Sequence, residues 1–312
     1  MSTSIAELRT AIRQRARTTD SITRGAIGLV ALAVVAAVVH SRVAPRVETT
    51  GGELSVIGSA SLEMTGRVTG FGVAEPSGVA LDPQSGSLFV VGDEGSIAEL
   101  GPDHAAIRTQ PASPGAEDIA IHTPTGLLVA VSEETAELVV LSPGTLSELR
   151  RFPLDRPALL AVDPTGDINQ GFEGLAFSAD PSQPGGGTFY LTHQRDPAMV
   201  ISLTFDPSVA PHLIGADAVT ARWTVPGAEE LNGVTYDVGG DRLLAIDDAR
   251  DALIVLGLDG RLLGGLALPG IQQEGVVMDS NGTLWIADDA DGALLAFQGA
   301  DATIDGVVTP VS

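Results

Sequence analysis

The chain has 312 residues, 44% of them hydrophobic, and its 17 cationic side chains, all Arg, face 40 acids for a net charge of −23. No Cys is present, which excludes disulfides, zinc–thiolate sites and a Cys nucleophile. The charge is uneven: seven Arg precede residue 47, and from Val47 onward ten Arg stand against 38 acids, a net −28 that repels phosphate backbones and argues against nucleic acid as a partner.

The first element in chain order is apolar. Gly25 to Val39 runs without a polar side chain, between Arg24 and His40-Ser41-Arg42. A membrane span needs ~20 such residues, ~17 at the low end, and flanking Arg side chains that snorkel make up the difference. A cleaved signal peptide is the rival, but the leader is long and no small-x-small cleavage site follows. The expectation is a cytoplasmic tail (1–24), a single transmembrane anchor in the cell (inner) membrane (25–42) and a linker (43–53). The excess of Arg before the span puts the N-terminus in the cytoplasm and the rest outside it.

Downstream, five segments open alike: Ser77-Gly78-Val79-Ala80-Leu81, Glu117-Asp118-Ile119-Ala120-Ile121, Glu173-Gly174-Leu175-Ala176-Phe177, Asn232-Gly233-Val234-Thr235-Tyr236 and Glu274-Gly275-Val276-Val277-Met278. Each leads through a turn of Asp, Pro, Gly, Ser or Asn into a second apolar run, a short polar loop and a third run. The short spacings match the ~40–45 residues of a four-stranded propeller blade. Outer strands are expected at Ala106–Gln110, Glu148–Phe152, Thr220–Val225 and Arg261–Leu268. The fifth unit lacks one, so Leu62–Val68 is expected to close the ring as its outer strand. The reading is all-β: a five-bladed β-propeller over residues 54–312, with no helix after residue 47.

Propeller geometry brings two sets of polar residues to one face. Ser77, Glu117, Glu173, Asn232 and Glu274 open the inner strands and ring the channel mouth. Asp93 and Glu94, Glu133 and Glu134, His193 and Gln194, Asp247 and Asp248, and Asp288 and Asp289 end the second strands and form a shell around it, with Asp93, Glu133, His193, Asp247 and Asp288 put first. Converging carboxylates repel unless a hard cation compensates; Ca²⁺ takes 6–8 oxygens and Mg²⁺ prefers six with waters retained. Glu117, Glu173, Asn232 and Glu274 are the candidate ligands of such an ion, Ca²⁺ or Mg²⁺. A purely structural role for these Glu, binding backbone amides of the next blade, is the competing reading. Asp279-Ser280-Asn281-Gly282 is a turn and not an EF-hand; no phosphate loop, nucleophile elbow or His-based zinc spacing occurs.

The units resemble those of the SdiA-regulated (YjiK-like) family over roughly residues 54–300. The resemblance is carried by Pro76–Pro83 with Leu88–Glu94, by Asn169-Gln170-Gly171-Phe172-Glu173-Gly174-Leu175-Ala176, by Leu231–Tyr236 and by Gln273–Val276. It implies a five-bladed propeller behind one membrane segment, with a calcium site and distant similarity to NHL-repeat and gluconolactonase-like propellers. Asn232 stands where Ser is common in that family. The expected function is an extracytoplasmic binding or interaction module with a small molecule or protein at its acidic face. The alternative is a metal-dependent hydrolase of lactonase or esterase type, with Asp247 or Asp288 as base.

Overall fold

The computed structural model describes residues 47–49, 57–161, 171–225, 227–270 and 272–308. The tail and the expected anchor at 25–42 lie outside the described residues, among which no helix is long and apolar enough to cross a membrane.

Two short strands, β1 (Val47–Thr49) and β2 (Ile57–Ser61), precede β3 (Gly66–Thr69). Blade one holds β4 (Pro76–Leu81), β5 (Leu88–Gly92), β6 (Ser96–Leu100) and β7 (Ala106–Pro111). Blade two holds β8 (Ala116–His122), β9 (Leu127–Ser132), β10 (Glu137–Leu141) and β11 (Glu148–Pro153). Blade three holds β12 (Phe172–Ala179), β13 (Gly187–His193), β14 (Met199–Leu203) and β15 (Val219–Thr224). Blade four holds β16 (Leu231–Asp237), β17 (Arg242–Asp247), β18 (Ala252–Gly257) and β19 (Leu262–Ala267). Blade five holds β20 (Gln273–Met278), β21 (Leu284–Asp288) and β22 (Ala293–Phe297), and β3 completes it. The inner strands β4, β8, β12, β16 and β20 pack in sequence, and β20 returns to β4. The fold is a five-bladed β-propeller.

Five apolar cores, one between each pair of neighbouring blades, hold the ring. Val129, Val131, Leu138 and Val140 of blade two meet Leu175, Phe189, Leu191 and Ile201 of blade three. Leu244, Ile246 and Val255 of blade four meet Val276, Ile286 and Phe297 of blade five. Strands sandwiched between two such cores are buried on both faces, which is why the second and third runs read as continuous Val, Ile, Leu and Ala. Outer strand β7 is mostly exposed and accordingly polar.

The closure is antiparallel, pairing Ala293 with Thr69 and Ala296 with Gly66. The pairing segment is thus Gly66–Thr69, shifted from the expected Leu62–Val68, because Leu62 is instead drawn into the core between blades four and five. Two added strands were not expected: β1 runs parallel outside β15, and β2 parallel outside β19. Two helices also correct the all-strand reading after residue 47. Helix α1 (Arg156–Leu160) buries Leu159 and Leu160 between blades two and three. Helix α2 (Ala300–Val307) buries only Ala300 and Ile304, one turn apart, too sparse a pattern to stand out in sequence.

The inner strands approach one another closely at the residue after each ring position. Four of these five residues are Gly; a Cβ on Gly275 would lie 2.5 Å from the Ser77 carbonyl oxygen, and one on Gly233 2.4 Å from that of Glu274. Neighbouring backbone cannot yield as a flexible side chain would. Gly275→Ala is therefore expected to destabilise the chain by about 2–4 kcal/mol, the range of severe overpacking, read as a lowered denaturant midpoint with an unchanged slope.

Candidate metal centre at the channel mouth

The mouth is built by a fivefold backbone pattern. The N–H groups of Asp93, Glu133, Gln194, Asp248 and Asp289 donate to the carbonyls of Glu75, Gly115, Gly171, Glu230 and Gln272, at 2.9–3.2 Å. Each acceptor lies two residues before a ring residue, so this register brings Asp93, Glu133, Gln194, Asp248 and Asp289 beside Ser77, Glu117, Glu173, Asn232 and Glu274. The sequence reading offers two neighbouring residues per blade, and this place falls to the first of them in blades one and two and shifts to the second, Gln194, Asp248 and Asp289, in blades three to five. His193, Asp247 and Asp288 end their strands on the opposite side of the alternation, and all three are buried.

That shift decides the chemistry of the proposed bases. Asp247 accepts the N–H groups of Glu229 and Glu230 at 3.1 and 3.2 Å, one on each oxygen. Asp288 accepts the N–H of Asp291 at 3.0 Å. Both carboxylates fasten turns.

The ring and the second set meet on one side of the mouth. Ligand oxygens of Glu117, Glu133 and Glu173 all lie within 4.8 Å of one another. That separation is about twice a Ca²⁺–oxygen bond of about 2.4 Å, the spacing expected of oxygens that share one ion. Glu274 stands next to them and accepts a hydrogen bond from Asn232 Nδ2. That bond turns the amide so that Asn232 Oδ1 is buried with no donor, and Gln194 Oε1 is in the same condition. A buried acceptor without a donor carries a desolvation cost of about 1–3 kcal/mol, which a cation removes as well as an N–H does. The donor set of carboxylates and amide carbonyls is that of a hard cation, and the residues fit one.

The electrostatics agree. Burial pushes Glu117 up to about 8, reinforced by Asp93, Glu133 and Glu274. Burial, then the charges of Glu117, Glu133 and Glu274, hold Glu173 well above the ordinary carboxylate range. Glu274 is pushed up to about 7, again first by burial, although the Asn232 hydrogen bond opposes it. Glu133 is raised by burial and relieved by the Gly171 N–H at 2.7 Å.

Beneath the ring lies a residue that sequence reasoning passed over. Asp118 occupies the one position of five where the others have Gly, and its side chain is completely buried. Its Oδ1 accepts the N–H of Ile119 at 2.8 Å, and its Oδ2 accepts those of Leu175 at 2.9 Å and Val234 at 3.3 Å. Val79 N–H adds a donor from blade one. One carboxylate thus joins the inner strands of four blades. Burial pushes it up to about 8 against the pull of these amides. The break in the Gly pattern was the available signal.

A family model described as SdiA-regulated matches residues 62–289. The chain belongs to the SdiA-regulated family. No curated protein matches it. Among solved structures, the SdiA-regulated chain is similar to glutaminyl cyclase of Myxococcus xanthus, with a TM-score of 0.55 and 12% identity over 76% of this chain and 96% of that one. It is also similar to a streptogramin B lyase (TM-score 0.41, 14% identity, 69% of this chain), of which it spans 63%. Virginiamycin B lyase of Staphylococcus aureus gives a TM-score of 0.40 and 11% identity over 75% of this chain and 73% of that one. At such identities the likeness is one of fold.

A cavity of about 870 Å³ lies under the turns at the other end of the inner strands, lined in part by His104, Asp279 and Trp285. Its carboxylates are engaged locally: Asp279 accepts the N–H groups of Asn281 and Thr283, and Asp237 accepts Arg242 Nε at 2.8 Å. The mouth, by contrast, leaves the amide oxygens of Asn232 and Gln194 buried without a donor.

Proposed function

We propose that this SdiA-regulated propeller is a cation-centred binding module. One divalent cation, Ca²⁺ in preference to Mg²⁺, sits at the mouth on Glu117, Glu133 and Glu173, with Asn232 and Glu274 completing the oxygen set. The observation that carries this reading is the convergence of ligand oxygens of three Glu within 4.8 Å of one another, supported by Asn232, which donates to the neighbouring Glu274 and keeps a buried Oδ1 with no donor. Calcium is favoured because the donors are numerous and include amide carbonyls, whereas Mg²⁺ retains water and demands a strict octahedron. The cation neutralises the mouth and offers a positive point in an acidic face, where a ligand or protein partner docks. The hydrolase alternative lacks support in Asp247, both of whose oxygens are held by backbone N–H groups, and in Asp288, whose Oδ1 is held by that of Asp291. The apolar run at 25–39 and its flanking Arg residues support a setting in which residues 25–42 anchor the chain and the propeller lies outside the inner membrane.

Calorimetric titration of the chelator-stripped full chain tests the proposal. One saturable Ca²⁺ site is expected, with Mg²⁺ at least about tenfold weaker. In Glu117→Gln, Ca²⁺ affinity should fall about 10–100-fold, as one charged ligand is lost. Equal Ca²⁺ binding in the wild type and this variant would place the ion elsewhere.

A further inference from the structure

We infer that Arg156 makes the mouth a site for an anionic ligand, receiving a carboxylate or phosphoryl oxygen beside the position of the cation. The inference rests on the cation reading above, and it deepens it by naming the ligand's charge class.

Arg156 opens α1 in the long connection between blades two and three. That helix is fixed firmly. Asp155 caps it by accepting the N–H of Ala158 at 3.2 Å, and Leu159 and Leu160 are buried in the core. At its other end the buried Arg222 of β15 donates to the carbonyls of Leu159 and Ala158. Arg156 is thus presented from a rigid support, as a recognition residue requires.

The charges of Glu133 and Glu173 at the mouth act on its guanidinium. Yet it forms no ion pair with either of them or with any other described carboxylate. Nη2 donates to His193 Nε2 at 3.0 Å. The His193 ring is held in that role because its Nδ1 donates to the Pro197 carbonyl at 2.9 Å, leaving Nε2 as an acceptor. Nε of Arg156 is buried and has no partner. A guanidinium serving only as counter-ion to three Glu would pair with them, and bidentate pairing is its strongest mode. The Arg195 Nε is also buried without a partner, yet Arg195 pairs with Glu230, and Arg250 pairs with Glu229 at 2.8 Å, so the missing ion pair is what sets Arg156 apart. Arg156 instead keeps donor capacity next to an oxygen cluster suited to a cation. Those two positive centres together match an anion, and only the anion's oxygens complete both.

The test uses the full chain labelled with ¹⁵N-arginine, loaded with Ca²⁺ and then, separately, metal-free. Acetate and methylphosphonate are the probes, with chloride held constant. Loss of one Nε–Hε signal in Arg156→Lys assigns Arg156. With Ca²⁺ present, that signal should move saturably with one of the probes, and which probe acts separates a carboxylate from a phosphoryl ligand. Arg156→Gln should bind the probe at least tenfold more weakly while retaining Ca²⁺ binding. By thermodynamic reciprocity, the probe should tighten Ca²⁺ in the wild type by the same factor by which Ca²⁺ tightens the probe. A bound Ca²⁺ with no movement of the Arg156 signal, or with equal probe affinity in Arg156→Gln, would overturn the inference and leave the cation reading standing. Movement of the signal with no Ca²⁺ binding would do the reverse. Neither response would remove both.

Discussion

Asp118→Ala is expected to lower the melting temperature by about 10 °C or more, the largest single-residue effect in the propeller. The substitution leaves the amides of Ile119, Leu175, Val234 and Val79 buried without an acceptor. Each orphaned N–H costs about 1–3 kcal/mol, and about 2–4 °C accompanies each kcal/mol in a domain of this size. Loss of the side chain also opens a void on the axis. Asp118→Asn is expected to fall between the two, since one amide oxygen remains while an NH₂ replaces the second acceptor and faces N–H donors. Scanning calorimetry of the three proteins measures the order. Equal stability of wild type and Asp118→Ala would show that the four inner strands are held by their apolar cores alone.

The second large effect is pH dependence in the metal-free chain. Glu117 is raised to about 8, Glu274 to about 7 and Asp118 to about 8, with Glu173 raised as well. Between pH 4.5 and 8 the folded chain therefore holds more protons than the unfolded chain, and stability falls as pH rises. This is opposite in sign to a carboxylate held low by a salt bridge. A fall in melting temperature of about 5–10 °C from pH 5 to pH 8 corresponds to a few kcal/mol of unrelieved repulsion and desolvation. Ca²⁺ should remove the share due to the mouth, at least halving the slope, and release protons as it binds. The share due to Asp118 should remain, because its oxygens are held by amides beneath the ring. Glu117→Gln should flatten the metal-free profile without any metal.

The propeller itself was written plainly in the chain. Five openings of like pattern, each followed by two apolar runs, favoured radial repetition over a β-sandwich or an open solenoid, and the missing fifth outer strand pointed to closure by Leu62–Val68, which overlaps the strand that pairs. The ring residues were legible for the same reason, since a repeat copies its geometry. The second set was harder. A strand's side chains alternate in direction, so in the pairs His193-Gln194, Asp247-Asp248 and Asp288-Asp289 only one member can stand beside the mouth, and the sequence alone does not say which. Glu133 lies close to Glu117 and Glu173 only through the fold. Asp118 was hidden by its neighbour: beside Glu117 it read as one more acid of an acidic chain, although it is the break in a column of glycines. Arg156 gave no signal, because it comes from an insertion outside the repeat and acquires its place through Arg222, 66 residues further along the chain.

The central claim is tested most directly by the melting temperature of the chelator-stripped full chain at pH 8, followed as Ca²⁺ is added, in wild type and in Glu173→Gln. A ligand at 100 times its dissociation constant stabilises the folded state by ~2.7 kcal/mol, so the wild type should rise saturably by about 5–10 °C, and Glu173→Gln should not rise. No rise in the wild type, or the same rise in both, would contradict a cation held at the glutamate mouth.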